Sequence, residues 1–289
     1  MQVGVIGLGN IGNGVAKNLA AAGHDVVGYD IDAGRIASTG ATPANNAAVV
    51  AALSDLVVVA VANIAAYETT MTALADAGKS DLVIADLCTF TLETKEAART
   101  QQAASGVVLL DCPVSGARPQ SQAGELAMTV SGKKDAFNRI EEVLNSFCHS
   151  VIYVGEFGMS TKIKYILNLI IAIHNLTCAE GFVMARKAGI DLDLFGKVVR
   201  DSAAHSRIFD TRAAQWTSGD YDNNITAALA IQLKDKGIIA DFAEKLGVPT
   251  PLFDVAGSYY EAANDRGWQD RDAAVILKLL EEEADIPRD

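Results

Sequence analysis

Gly7, Gly9 and Gly12 stand two and three residues apart, with Leu8, Asn10 and Ile11 between them. They follow directly on the short apolar run Gln2-Val3-Gly4-Val5-Ile6. A helical pattern (Val15, Ala16, Leu19, Ala20) comes next, and then Asp25 to Tyr29 reads as a second strand that ends at Asp30. In that order the three glycines have separate tasks. Gly7 permits a tight turn, Gly9 lets backbone approach a pyrophosphate, and Gly12 lets helix and strand pack closely. The helix N-terminus adds free N–H groups and a positive dipole end for phosphate. Asp30 lies eighteen residues past Gly12, placed to accept hydrogen bonds from ribose hydroxyls and to repel a 2′-phosphate. The expected ligand is therefore NAD, with NADP the lesser alternative because Arg35 is close by.

A second pair of residues with chemical potential lies far along the chain. Lys164 and Asn168 are four residues apart, so on a helix they sit about 40° apart on one face and roughly 6 Å apart along the axis. Their neighbours Ile163, Ile166, Leu167, Leu169, Ile170, Ile171 and Ile173 are apolar. Two polar side chains on such a face need partners. In the bland case Lys164 extends to solvent and Asn168 bonds a neighbouring helix. In the functional case both meet a substrate. Residue types alone leave the two level.

The elements that must position these residues form two regions. Up to about residue 155, strands and helices alternate. Leu56–Val61 is a continuous apolar run, as befits a strand buried on both faces. Leu82–Ala85 ends at Asp86, and Val107–Leu110 ends at Asp111. Leu126–Val130 and Val151–Val154 complete the set. The pattern predicts an α/β fold with a Rossmann-like, doubly wound parallel sheet and an antiparallel edge. Ligands on such sheets lie beyond the carboxyl ends of the strands, which singles out Ala62 and Asn63, Cys88 and Thr89, and Pro113 to Gly116. Thr89 has a competing role as the cap of a helix starting near Leu92. From Thr161 onward the chain reads as helix only. Lys162–Lys187 would span roughly 40 Å and is apolar on nearly every side, so it is expected to be buried between domains or subunits. Helices follow at about 192–204, 207–217, 225–246, 251–265 and 271–283. The expected domains are 1–160, binding the dinucleotide, and 161–289, all-α and serving substrate binding and oligomerisation.

Composition excludes several functions. The chain has 289 residues, half of them hydrophobic, and a formal net charge of −12. That charge disfavours nucleic acid and anionic membrane surfaces as partners. No apolar run of about 18 residues lacks a polar break, and the N-terminus enters a strand without a signal-peptide pattern. A cytoplasmic protein that does not bind membranes is expected. Cys88, Cys112, Cys148 and Cys178 are too widely spaced for a metal site and read as reduced thiols.

Several ordered signatures resemble those of the β-hydroxyacid dehydrogenases, the 3-hydroxyisobutyrate dehydrogenase-like enzymes with a NAD-binding domain of the 6-phosphogluconate dehydrogenase type. Gly7 to Gly12 with Ala16-Lys17-Asn18-Leu19 is similar to the family's opening signature, and Asp111-Cys112-Pro113-Val114-Ser115-Gly116 to its substrate-binding signature. Gly158–Asn168 is similar to its catalytic helix. Ala179-Glu180, Gly189-Ile190-Asp191, Lys234-Asp235, Gly247–Pro251 and Asp272–Val275 follow in the family's order. The resemblance implies that Lys164 is the acid/base, that Ser115, Gly116 and Asn168 bind substrate, and that Thr89 and Lys234 lie at the nicotinamide end. It also implies a homodimer or homotetramer. Ala117, Ser160 and Leu167 stand where the family usually has Gly, Gly and Asn, which bears on substrate identity more than on reaction class. Arg118 is a candidate for a second anionic group on the substrate, and a solvated loop charge is the alternative. The implied reaction is reversible hydride transfer between a nicotinamide and a small 3-hydroxy acid or its semialdehyde. Nearness to an apolar face and to a helix N-terminus should depress the Lys164 pKa. An imine reductase on the same scaffold, or a silent dinucleotide-binding protein, are the alternatives; Lys164 and Ser115 together argue against both.

Overall fold

The computed structural model describes residues 1–223 and 225–287. It divides into two compact units, Met1–Lys164 and Tyr165–Asp289. The first contains β1 (Gln2–Ile6), α1 (Gly12–Ala21), β2 (Asp25–Tyr29), β3 (Thr42–Pro43), α2 (Ala47–Leu53), β4 (Leu56–Val59), α3 (Ile64–Asp76), β5 (Val83–Asp86) and α4 (Leu92–Ala104). It continues with β6 (Val108–Asp111), β7 (Val114–Ser115), α5 (Arg118–Ala123), β8 (Leu126–Ser131), α6 (Lys134–Asn145) and β9 (Cys148–Gly155). The strands form one sheet in the order β3-β2-β1-β4-β5-β6-β8-β7, with β9 beside β8. From β3 to β6 every pairing is parallel. This is the dinucleotide-fold order, reversing direction at β1 and β4.

The continuous apolar runs serve two cores at once. Successive side chains on a strand point to opposite faces. Val57 and Val59 pack with Ile6, Ile84 and Leu109 on one face. Leu56 and Val58 pack with Val3, Val5, Val83 and Leu110 on the other. Three short elements were not legible as periodic patterns: β3, β7 and α5, each six residues or fewer. The antiparallel feature differs from a single edge strand. β8 meets β6 antiparallel at Asp111↔Ser131, β7 pairs antiparallel with β8, and β9 runs parallel to β8.

The second unit is built from helices. α7 (Met159–Lys187) enters it after Lys164. It is followed by α8 (Leu192–Arg200), α9 (Arg207–Ser218), α10 (Leu229–Leu246), α11 (Pro251–Asp265), a 3₁₀ turn at Ala273–Val275 and α12 (Ile276–Glu283). By length and composition α7 could cross a membrane. It instead contributes Ala172, Leu176, Ala179 and Phe182 to the core of this unit. Its buried Asn175 donates to the Tyr260 hydroxyl at 3.0 Å and to the Ala273 carbonyl at 3.1 Å. In the single chain Ile166, Leu167 and Ile170 of α7 are exposed.

α10 begins four residues later than its pattern suggests, because the Leu229 and Ala230 N–H groups donate to the Arg271 and Gln269 carbonyls and Asp272 holds the strand-like segment before them. The Asp272 carboxylate accepts hydrogen bonds from the Thr226 N–H and hydroxyl and from the Ala227 N–H. This backbone is therefore claimed before a helix can start. Asp272 also caps the 3₁₀ turn through the Ala274 N–H and pairs with the guanidinium of Arg212. Both side chains of that pair are buried. Asp272→Ala is expected to destabilise the protein by about 3–5 kcal/mol, because it strands a buried guanidinium. Thermal or urea unfolding checks this, and a variant as stable as the parent would refute it.

Candidate functional site

At the glycine turn the three glycines differ in what surrounds them. Gly7 has φ +85°, and a Cβ there would lie 2.5 Å from the Ala60 carbonyl oxygen. A Cβ on Gly12 would lie 1.8 Å from the Gly7 carbonyl oxygen. These two are fixed by the protein's own packing. Gly9 is different: the nearest atom to a Cβ is Arg35 Nη1, at 3.8 Å. Nothing in the chain forbids a side chain at Gly9, so the space it leaves suits something that approaches from outside. α1 starts at Gly12 with no side-chain cap; the Asn13 N–H donates to the Gly9 carbonyl at 3.1 Å, and the positive end of the helix dipole suits an anion.

Asp30 follows β2 and is buried. One carboxylate oxygen accepts from the Leu8 N–H at 2.6 Å, the other from the Asp32 N–H at 2.9 Å. The first bond ties the end of β2 to the glycine turn. Each oxygen keeps a further lone pair for a ribose hydroxyl. Arg35 lies at 3.7 Å from Asp30 and 3.3 Å from Asp32. It is thus engaged by two carboxylates at the position where a 2′-phosphate would need it. These residues fit a dinucleotide.

The other strand-end candidates are also at the carboxyl edge. Ala62 and Asn63 follow β4 and are exposed. Asn63 has a structural task as well, since its side chain caps α3 through the Ala66 N–H at 2.9 Å. Thr89 follows β5 and is not the cap of α4; Thr91 is, accepting from the Thr94 N–H at 3.2 Å. Ser115 is half-buried in β7 opposite Ala127. Gly116 has φ +136°, and a Cβ there would meet Leu126 at 2.8 Å, so no other residue fits without rearrangement. Arg118 opens α5 and is exposed. The helix α5 is fastened to α1. The Ser121 hydroxyl donates to the Ile11 carbonyl at 2.6 Å, and the Asn18 amide donates to the Ser121 carbonyl at 2.9 Å. Gly14 permits this contact, because a Cβ there would overlap Ser121. The Ser115-Gly116 turn is therefore tethered to the glycine-turn helix.

Lys164 is half-buried in the second turn of α7. The start of that helix is held by Asp111, a residue noted from the sequence only as a strand end and part of a signature. The Thr161 N–H and hydroxyl each donate to the Asp111 carboxylate at 2.8 Å. The Ser160 N–H donates to the Ser131 hydroxyl, which donates in turn to Asp111 at 3.1 Å. Asp111 therefore does from β6 what an N-cap side chain normally does from within the chain.

Behind Asp111 lies Lys95, which no sequence signal marks. Its side chain is wholly buried with those of Asp86 and Asp111. Its ammonium donates to Asp111 at 2.6 Å and to the Cys88 carbonyl at 2.9 Å, and Asp86 is 3.3 Å away. Asp86 also accepts from the Tyr67 hydroxyl and the Cys88 N–H. Burial on its own pushes the Lys95 pKa down. The Asp111 and Asp86 carboxylates outweigh it and hold the ammonium above lysine's ordinary range. Burial pushes the nearby Cys88 and Cys112 thiols well up, so neither is a ready nucleophile. Among the described residues no cluster of metal-ligating side chains occurs.

In the second unit, Asn168 is buried and its amide nitrogen donates to Asp235 at 2.8 Å. A carboxylate only accepts, so the nitrogen is the end facing Asp235 and the carbonyl oxygen is the end that accepts from a donor. Lys234 is exposed, with its ammonium 3.0 Å from the other oxygen of Asp235.

Comparison with known proteins covers both units. Residues 2–155 match a family model described as the NAD binding domain of 6-phosphogluconate dehydrogenase. Residues 158–280 match one described as NAD-binding of NADP-dependent 3-hydroxyisobutyrate dehydrogenase. The chain is 30% identical to L-threonate dehydrogenase of Escherichia coli K12, over 96% of this chain and 94% of that one. It is 27% identical to the mitochondrial 3-hydroxyisobutyrate dehydrogenase of Drosophila melanogaster, over 98% and 90%. The crystal structure of a 3-hydroxyisobutyrate dehydrogenase from Salmonella typhimurium superposes with a TM-score of 0.89 at 28% identity, covering 96% of this chain and 99% of that one.

Two substitutions separate packing from ligand approach. Gly9→Ala is expected to leave thermal stability within about 1 kcal/mol of the parent while weakening NAD binding. Gly12→Ala is expected to lower stability itself. Asp30→Ala removes a charge-assisted acceptor and one of the two carboxylates around Arg35, leaving Asp32, so kcat/KM with NADP relative to NAD should rise by about tenfold or more. Steady-state assays with both cofactors decide it, and an unchanged ratio would show that Asp30 does not set the preference.

Proposed function

The chain belongs to the β-hydroxyacid dehydrogenase family, and from that premise we propose that it reversibly oxidises a small 3-hydroxy acid to the semialdehyde, with Lys164 as general acid/base and NAD as the preferred cofactor. The observation that carries the residue assignment is the way Asp111 holds the first turn of α7 and thereby sets where the half-buried Lys164 begins. The glycine turn and Asp30 would hold NAD, which would supply the hydride acceptor. The chain's own groups do the rest. The Lys164 amine takes the hydroxyl proton during oxidation, and its ammonium returns a proton to the developing alkoxide during reduction. Free lysine titrates near 10.4, so a neutral amine at pH 7 costs on the order of 4–5 kcal/mol unless its surroundings lower it.

Ser115 and the Gly116 N–H suit a carboxylate, since a hydroxyl and an N–H donate without adding net charge. Asn168 lies one turn beyond Lys164 on the same helix face. Its amide is oriented by Asp235, so its carbonyl oxygen is available as an acceptor for a substrate hydroxyl. Thr89 and Lys234 are assigned to the nicotinamide end, and Ala62 and Asn63 to the cofactor beside β4. Arg118, exposed on α5 after the Gly116 turn, is assigned to a second anionic group on the substrate. The relatives named for L-threonate and for 3-hydroxyisobutyrate favour hydroxylated acids of about four carbons. The protein is assigned to the cytoplasm and to a homodimer or homotetramer.

Lys164→Ala is expected to cut kcat by roughly 10²–10⁴-fold while NAD still binds. Turnover close to that of the parent would remove the acid/base role. Cofactor absorbance with L-threonate, 3-hydroxyisobutyrate, 3-hydroxypropionate, glycerate and a cyclic imine tests the substrate class. Turnover of the imine alone would overturn the hydroxy-acid assignment. Asp235→Leu should raise the substrate KM more than the NAD KM, because Asn168 loses the group that orients it.

A further inference from the structure

Lys95 stands outside the reaction just described, yet it is the one cation in a buried cluster that touches two pieces of the site. From α4 its ammonium reaches the Asp111 carboxylate and the Cys88 carbonyl. Asp111 holds Thr161, three residues before Lys164. Cys88 immediately precedes Thr89. A second contact binds the same two helices: Gly158, with φ +89°, lies against Leu92, so that a Cβ on it would sit 2.6 Å from the leucine methyl. The start of α7 is thus set against α4 by packing at Leu92 and by charge at Lys95.

The cluster is costly to build. Three ionised groups with fully buried side chains are not the cheapest way to join a helix to a sheet, since apolar residues of equal volume usually do as well or better. What a cluster of charged hydrogen bonds supplies is fixed geometry. Lys95 stands opposite two carboxylates, and the donors around them complete the set: Tyr67 and the Cys88 N–H on Asp86, and Ser131 and Thr161 on Asp111. Without the ammonium, Asp86 and Asp111 face each other with no cation between them. One must take up a proton or the two must separate, and either event changes the Asp111–Thr161 grip.

We propose that Lys95 is a positioning residue for the hydride-transfer reaction. Through Asp111 and Thr161 it fixes the first turn of α7 and hence the place of Lys164. The inference rests on the assignment of Lys164 as acid/base. Lys95 touches neither substrate nor cofactor in this role, and no proton passes through it.

A double-mutant cycle tests it. Lys95→Met keeps the length of the side chain and removes the charge. It is made in the parent and in Lys164→Ala, and kcat is measured at saturating NAD with L-threonate and with 3-hydroxyisobutyrate. NAD affinity is read from binding. In the parent background, Lys95→Met should lower kcat by about 10–100-fold, the effect of displacing a reacting group by about 1 Å, with the NAD Kd changed less than about threefold. In Lys164→Ala it should change the residual rate by less than about threefold, because there is no lysine left to place. Equal losses in both backgrounds would show a merely structural role and overturn the inference, as would no loss in the parent. A Lys164→Ala variant with near-parental turnover would instead overturn the acid/base assignment, and the inference with it. If Lys95→Met does not bind NAD, Thr161→Val carries the same cycle. It removes one of the two Thr161 bonds to Asp111 and leaves Lys95 in place. It should cost about 3–10-fold in the parent and little in Lys164→Ala, and equal losses would again overturn the inference.

Discussion

The carboxylate of Asp111 is the constraint on which the first unit turns. It ends β6, it is wholly buried, and its bonds run outward in three directions: to Thr161 at the start of α7, to Ser131 at the end of β8, and to Lys95 in α4. A buried carboxylate with fewer donors would be unstable as an anion. Here the surrounding donors make it a fixed acceptor. Its consequence is topological. The run of parallel pairings stops at β6; β7 continues in the direction of β6, and the chain then reverses into β8. The single residue at which β8 meets β6 is Asp111 opposite Ser131. The same side chain closes the sheet joint and starts the long helix.

The dinucleotide end shows a comparable economy. Asp30 holds the glycine turn through Leu8 while presenting its remaining lone pairs outward. Ser121 holds α5 on α1 and so ties the Gly116 turn to that same helix. The cofactor turn and the serine–glycine turn therefore cannot shift independently without breaking buried or half-buried bonds.

How much of this was legible in the sequence follows from the range of each interaction. The glycine turn, the strands β1, β2, β4, β5 and β6 and the long helix rest on local periodicity and on backbone sterics, so residue order alone reveals them. β7 and α5 are too short for any period, and they exist because Gly14, Asn18 and Gly116 accept them from elsewhere in the chain. The late start of α10 was hidden for a similar reason: Gln269, Arg271 and Asp272, far downstream, claim the backbone of Thr226, Ala227, Leu229 and Ala230. Lys95 was the least visible of all. In sequence it is one more lysine after a glutamate and a threonine near a helix start, and its ordinary surroundings would be water. Only the sheet, by setting the ends of β5 and β6 side by side, gives it two carboxylates to meet.

Asn168 illustrates why residue type and residue role are separate questions. From spacing, it could bond a neighbouring helix or a substrate. The structure shows that it does the first, to Asp235, and this does not exclude the second. An amide has two ends, and the carboxylate can take only the nitrogen. The structural bond thereby decides the polarity of the other end: toward any ligand, Asn168 offers an acceptor. A group that donates, such as a hydroxyl, is matched by that end, whereas a carboxylate is repelled by it. That polarity follows from one hydrogen bond that, taken alone, would read as packing.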